Sequence, residues 1–508
     1  MQSGKQPRVV IVGAGFGGLA AAIELRRHGF DDLQILEKAP ALGGTWWYNR
    51  YPACSCDVPS QLYSFSFAQR RVWSRVCSRR EEILSYLNEV ARERGVEQLI
   101  QAGTEVSECV WDEYSKRWTV RSTDGRSWEA DAVIVATGQL HRPSIPHIEG
   151  AERFAGERFH SAYWNQRLDL RGKRVAVIGT GASAIQLIPD VARKAERLVV
   201  FQRTPNWFLP RRNRPYRPWL KALFRVPGVA AVVRGFIYLY TDSLTRMIRH
   251  PRTLGRIGRA YSAAFMRRQL KDPRLRARVW PDYTFGCKRI LFSSYYLPAL
   301  QRPNVELVTE AISHLTENEL VTADGARHEL DCLIYATGFR SADFMLPMEV
   351  RGRGGRSLAE AWTGAPHAHL GVTVPGFPSL FLIYGPNTNT SGGSIIFFEE
   401  AQSAYIRQAL ELVRRLGAAA VEVRAEVEQE FNHALQGRFE GTAWVDCQSW
   451  YRNSGDGRVF ANWPDSMRAY RRRLARLDPL DYQLLDRPPQ TPPHRPDADL
   501  PTYTQAHD

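Results

Sequence analysis

The chain has no run of about 18 uncharged apolar residues, so no membrane-spanning helix is expected. Its start, MQSGKQPRVVIVGAG, is a short polar lead and then a strand-like run ending in glycines. That is not a signal-peptide pattern, and a cytoplasmic location is expected. Cysteine is sparse. The seven residues (Cys54, Cys56, Cys77, Cys109, Cys287, Cys332, Cys447) are odd in number and scattered. They form no paired CxxC units for zinc and no apparent disulfide framework, and no metal is expected. Cys54 and Cys56 are a poor redox pair, because one intervening residue closes a strained ring. There is no aromatic-basic RNA motif, zinc finger or basic zipper. The formal net charge of +15 is therefore read as solvated basic helix faces, as in FMRRQLKDPRLRARVW and YRRRLARL, with some of it meeting anionic cofactors. Nucleic acid is not an expected partner.

What is present is an ordinary globular composition, 44% apolar and 24% charged, in 508 residues. That length exceeds one hydrophobic core and requires several domains. Strand-like runs occur at RVVIVG, LQILEK, AVIVATG, RVAVIG, LVVFQR, CLIYATG and LFLIYG. Most are continuous apolar runs, as strands of a parallel sheet covered on both faces are. Helical stretches alternate with the early ones, and AVIVATG and CLIYATG resemble each other. The pattern predicts two α/β dinucleotide-binding units of Rossmann type.

The first unit opens with VVIVGAGFGGLAAAIEL, in which Gly13, Gly15 and Gly18 fit GxGxxG between a strand and a helix. A pyrophosphate then faces the helix N-terminus. The next strand ends in Glu37, a carboxylate that accepts from a free ribose diol and repels a 2′-phosphate. FAD or NAD fits; NADP does not. The second unit, RVAVIGTGASAIQLI, has Gly179 and Gly181, with Ala184 at the third position. Its next strand leads to Arg203, where a guanidinium can grip a phosphate through two hydrogen bonds. This reads as an NADPH site. Two such units bring two dinucleotides together. A disulfide reductase carries a cysteine pair after the first unit; the chain has ALGGTWWYNRYPACSCDVPS there instead.

Between the two glycine turns stands FAGERFHSAYW. It resembles the FxGxxxHxxxW motif of Baeyer–Villiger monooxygenases through Phe154, Gly156, His160 and Trp164, with Asn165 where the family has Pro or Asp. GGTWWYNRYPACSCD is similar to a second family signature through Gly44, Trp46, Tyr51, Pro52 and Asp57, with Ala53 where Gly or Met is usual. FGCKRILFSSYYLPALQRPNVEL resembles the segment that holds the family's active-site arginine. The similarity spans roughly residues 8 to 485.

The resemblance implies a flavin-dependent monooxygenase using FAD, NADPH and O2. It would insert one oxygen beside a ketone carbonyl through a C4a-peroxyflavin and give an ester or lactone. It implies Arg289 as the catalytic arginine and Asp57 as its acidic partner. FAD contacts are implied at Phe16, Thr45, Trp46, Asp57, Tyr63 and Val106 beside the glycines and Glu37. NADPH contacts are implied at Thr180, Ser183, Ala184, Gln186, Thr204, Lys288 and Trp450 beside Gly179, Gly181 and Arg203. His160 is expected either to act through domain movement on a linker or to be a hydrogen-bonded structural residue, and in neither case as a base. The rival readings are oxygenation of N or S by a related flavin-containing monooxygenase, and a dinucleotide-binding redox sensor.

The expected organisation is a FAD-binding part (1–143), the linker motif and first part of the NADPH-binding domain (144–205), and a helical insert (206–287). The rest of the NADPH-binding domain (288–340), the rest of the FAD-binding domain (341–485) and a Pro-rich mobile tail (486–508) follow. VAAVVRGFIYLY in the insert is read as a helix over an apolar pocket, with peripheral membrane contact the lesser reading. The insert and the loop GPNTNTSGGSIIFF are expected to shape a pocket for an apolar ketone. Which ketone, and the oligomeric state, are not legible.

Overall fold

The computed structural model describes residues 6–488; from residue 489 the expected tail lies outside the described residues. Two five-stranded sheets, parallel throughout, organise the chain. The first has the order Leu380–Leu382, Ala132–Val135, Val9–Val12, Leu33–Leu36, Ile100–Gln101. The second has the order Val305–Val308, Arg197–Phe201, Arg174–Ile178, Cys332–Tyr335, Glu157–His160. All seven strand-like runs form strands. Val9–Val12, Ala132–Val135 and Cys332–Tyr335 are buried along their whole length, which is why they read as unbroken apolar runs. This is the α/β fold with two Rossmann-type units.

The repeated ATG phrase has a physical cause. Gly13 and Gly179 both adopt a positive φ, +107° and +108°. A Cβ on Gly13 would meet the Ala136 carbonyl oxygen at 2.6 Å, and one on Gly179 would meet that of Ala336 closer still. Each glycine turn thus rests on the ATG turn of its own unit, and neither position tolerates a side chain. Gly18 is equally confined, against the Gly13 carbonyl.

The FAGERFHSAYW stretch, expected on a linker, instead supplies the edge strand Glu157–His160 of the second sheet. Phe154 is buried in that unit's core. A Cβ on Gly156 would stand 2.6 Å from the Asp331 carbonyl oxygen, so the glycine permits the strand's close approach. Trp164 packs edge-on to Phe159 at 5.3 Å. The true connections between the units run side by side. Ser144 N–H donates to the Gly338 carbonyl at 2.9 Å, Arg340 N–H donates to that of Arg142 at 2.9 Å, and Arg142 pairs with Asp343 at 2.7 Å. His160 stacks edge-on to Phe339 in this two-stranded connection, 5.5 Å between ring centres.

The insert is helical as expected: Pro218–Arg225, Val229–Arg249, Leu254–Gln269 and Pro273–Arg278. It begins and ends at a two-stranded parallel pair, Phe208–Leu209 with Leu291–Phe292.

Candidate active site

A continuous cavity starts at the first glycine turn and ends against the second unit. Of the expected residues, Gly13, Gly15, Phe16, Glu37, Thr45, Trp46, Asp57, Tyr63, Val106, Ser183, Gln186 and Arg289 line it. Helix Phe16–Arg27 opens onto it. Its N-cap is Gly15, with no side-chain cap and no acid in the first turn, so its first N–H groups stay free for an anion. Glu37 is buried, and its carboxylate accepts from Ala14 N–H at 2.7 Å and Ala39 N–H at 2.8 Å. Burial raises its pKa, and these two bonds pull it back. Phe16 and Trp46 both meet Tyr63 edge-on, at 5.2 and 5.7 Å, and the Trp46 indole N–H donates to the Tyr63 hydroxyl at 3.2 Å.

At the far end, Arg289 Nη2 donates to Asp57 Oδ2 at 2.6 Å. Burial alone would raise the Asp57 pKa, but the Arg289 charge outweighs it and holds the carboxyl below its ordinary value. Asp57 in turn raises Arg289 further above an ordinary guanidinium. Arg211 adds a second cation on this side. Its Nη2 donates to Ser55 Oγ at 2.8 Å and to the Cys56 carbonyl at 2.7 Å. Asp57 is positioned by the loop Tyr51–Cys56, whose Ala53 has φ +61°. That left-handed conformation is one a glycine adopts without strain. Gln186, expected against NADPH, clasps this loop. Its Oε1 accepts from Ser55 N–H at 3.1 Å, and its Nε2 donates to the Ser55 carbonyl at 3.0 Å.

The remaining second-unit residues lie outside the cavity, near the second glycine turn. Asn206 Nδ2 donates to Thr180 Oγ1 at 3.2 Å, and Thr180 Oγ1 donates to the Thr204 carbonyl at 3.4 Å. Helix Ala184–Lys194 has no side-chain cap at Ser183 and no acid in its first turn. Arg203 is exposed. Lys288 has a lowered pKa, from burial and from the charge of Arg203 beside it. Two cations near enough to repel each other suit a phosphate. Trp450 is exposed, its ring centre 4.2 Å from that of Tyr451. His160 is buried outside the cavity, its pKa pushed down to about 4 by burial. Its Nδ1 accepts from Ala162 N–H at 3.2 Å, as the neutral imidazole does.

Three expectations are corrected. Cys287 and Cys447 form a disulfide, although no disulfide was expected from their spacing; it ties the segment of Lys288 and Arg289 to that of Trp450. No residue of 206–287 lines the cavity. The expected helix over the pocket therefore sits one layer behind its wall. The His motif is part of a sheet, not a free linker. Cys54 and Cys56 are free buried thiols, and burial pushes the Cys54 pKa up to about 12.

Sequence reasoning missed Phe339, Tyr384 and Glu399, all in the cavity wall. Glu399 is buried, its Oε2 lacks a partner, and burial pushes its pKa up to about 8. A carboxyl pushed toward its neutral form thus faces the cavity. The loop GPNTNTSGGSIIFF does contribute, through Asn389, Thr390, Gly393 and Ile395.

The uncapped helix above Glu37 fits the pyrophosphate and free ribose of FAD. The second uncapped helix with Arg203 and Lys288 fits NADPH. The family profile of pyridine nucleotide-disulphide oxidoreductases matches residues 10–253. A Baeyer-Villiger monooxygenase of Streptomyces coelicolor is 41% identical, over 94% of this chain and 92% of its own length. Among solved structures, an oxidized steroid monooxygenase bound to NADP is 30% identical with a TM-score of 0.83, covering 94% of this chain and 99% of its own. OTEMO in complex with FAD and NADP is 25% identical with a TM-score of 0.85, covering 95% and 100%.

Proposed function

The chain belongs to the Baeyer–Villiger monooxygenases, and we propose that the Asp57–Arg289 pair is the charge on which its oxygenation of a ketone depends. The enzyme uses FAD, NADPH and O2 to insert one oxygen atom beside a ketone carbonyl, giving an ester or lactone. When bound, the two cofactors supply the electrons and the activation of oxygen. FAD would be held by the free N–H groups of helix Phe16–Arg27, by Glu37, and by Thr45, Trp46, Tyr63 and Val106. NADPH would be held by Gly179, Thr180, Gly181, Ser183, Ala184 and Thr204, with Arg203 and Lys288 on the 2′-phosphate and Trp450 beside the nicotinamide end.

Arg289 stays protonated at any working pH. Attack on a ketone carbonyl builds negative charge on oxygen, and a guanidinium already in place stabilises that charge without reorganising. Asp57 positions it. The 2.6 Å bond occupies one guanidinium nitrogen, Nη2, and leaves other donors for the reacting oxygen. Phe339, Met345, Leu346 and Met348 give this cavity an apolar wall, which suits an apolar ketone. The observation that carries the reading is the Arg289–Asp57 bond inside the cofactor cavity. The test is to incubate the yellow protein with NADPH, O2 and a panel of apolar ketones and sulfides, and to weigh the products. Esters support the reading; sulfoxides alone overturn it in favour of heteroatom oxygenation.

A further inference from the structure

The helical insert is where charge and exposed apolar surface coincide, and the cavity uses neither. Between Arg212 and Arg268 stand twelve arginines and one lysine against a single acid, Asp242. Among the described residues, only Arg246 and Arg249 of this stretch have carboxylate partners, Asp242 and Asp465. Three successive helices turn apolar side chains outward at helical spacing. They are Trp219 and Leu223 on Pro218–Arg225, then Val232, Phe236 and Leu239 on Val229–Arg249, then Ile257 and Tyr261 on Leu254–Gln269. Trp219 is 62% exposed, Phe236 68%, Leu239 62% and Ile257 61%; side chains of this size are seldom so open in a cluster.

Helix Leu254–Gln269 is inverted. Its inward face is mostly small, Gly255, Gly258, Ser262 and Ala263, with Met266 as its one large residue. A Cβ on Gly258 would meet the Phe285 ring at 2.6 Å, so the small residues serve close packing. Ile257 and Tyr261 stand on the open side, where none of the described residues covers them. Among the described residues no single helix is long and apolar enough to cross a membrane; the first two helices have that length and composition only as a pair, and the pair bends by 103° at its junction. That geometry lies along a surface.

We propose that this face docks peripherally on an anionic lipid bilayer. The apolar side chains enter the boundary between headgroups and acyl chains, and the arginines meet lipid phosphates. The same face of a second copy is disfavoured, because it would bring two strongly cationic surfaces together. The docking face is backed by the cavity wall. Thr245 Oγ1, on the inner side of helix Val229–Arg249, donates to the Gly392 carbonyl at 3.2 Å, beside the cavity residue Gly393. Arg234 Nη1 reaches the Gln61 carbonyl at 2.6 Å, two residues from Tyr63.

The test uses the full-length holoenzyme in flotation with phosphatidylcholine vesicles, with and without phosphatidylglycerol. Binding is expected only to the phosphatidylglycerol vesicles and is expected to weaken with salt. Phe236→Asp with Leu239→Asp is expected to lower the bound fraction by about tenfold or more. Arg252→Gln with Arg256→Gln is expected to lower it several-fold and to flatten the salt dependence. Oxygenation in buffer stays unchanged in both, because these residues lie outside the cavity. Absent binding to anionic vesicles, or equal binding by the aspartate variant, overturns the proposal. So does a wild-type dimer in light scattering that ignores vesicles and dissociates with Phe236→Asp, for the face is then an interface between copies.

Discussion

Replacing Arg203 with Ala should remove the preference for NADPH while sparing NADH. Arg203 is exposed just past strand Arg197–Phe201, and the Lys288 pKa is lowered by burial and by that nearby guanidinium. A hydrogen bond to a charged group contributes about 1.5–3 kcal/mol net. That corresponds to roughly ten- to 150-fold in affinity. Exposure and salt place Arg203 at the lower end. The expected result is a fall in kcat/KM for NADPH of about tenfold, shrinking as ionic strength rises, with NADH changed by less than about twofold. Lys288→Ala should act in the same direction. Because the Lys288 pKa is lowered, its charge is lost at a lower pH than that of an ordinary lysine. The NADPH advantage should therefore fade first on the alkaline side. Steady-state kinetics with both coenzymes at two salt concentrations is the assay. An equal loss for NADPH and NADH would refute the 2′-phosphate role.

The other expectations rest on two buried histidines and on the motif regions. His160 and His369 are both held near pKa 4 by burial, below the unfolded value. Between pH 6.5 and about 4 the unfolded chain binds the extra protons, so stability should drop as pH falls through that window. His160→Gln should flatten part of the slope in denaturant melts, and an unchanged slope would contradict the buried neutral imidazole. Gly156→Ala should destabilise by about 1–3 kcal/mol, read as a lower melting temperature, because its Cβ would collide with the Asp331 carbonyl. Ala53→Gly should be neutral or stabilising by up to about 1 kcal/mol, since Ala53 is exposed at φ +61°; a clear loss of stability would mean that the methyl group matters.

The doubly covered strands were legible because burial on both faces writes an unbroken apolar run, as in Ala132–Val135. The edge strand Glu157–His160 was not, because its polar first residues are exposed and only its end is buried. The Asp57–Arg289 pair was legible only through resemblance. Its partners stand 232 residues apart, and no local pattern joins them. The same distance problem hid the bond between Cys287 and Cys447, 160 residues apart. Glu399 gave no signal, since a glutamate near a helix start ordinarily faces water; its burial comes from the helix lying against the first glycine turn. The insert's helices were legible, but not which way their apolar faces turn. An outward-facing apolar stripe and an inward-facing one have the same period.

The most direct measurement is the ester formed per NADPH oxidised by Arg289→Ala, with hydrogen peroxide followed in the same reaction. The guanidinium bonded to Asp57 at 2.6 Å is assigned the charge on the reacting oxygen. Its loss should cut ester formation by about 10²–10³-fold, as for other preorganised donors. NADPH oxidation should continue, and the oxygen should be recovered as hydrogen peroxide. Arg289→Lys should rescue poorly, because an ammonium lacks the planar fork that serves Asp57 and a second oxygen together. Asp57→Ala should show the same fault more mildly. Ester formed by Arg289→Ala at the normal rate would contradict the assignment of this pair to ketone oxygenation.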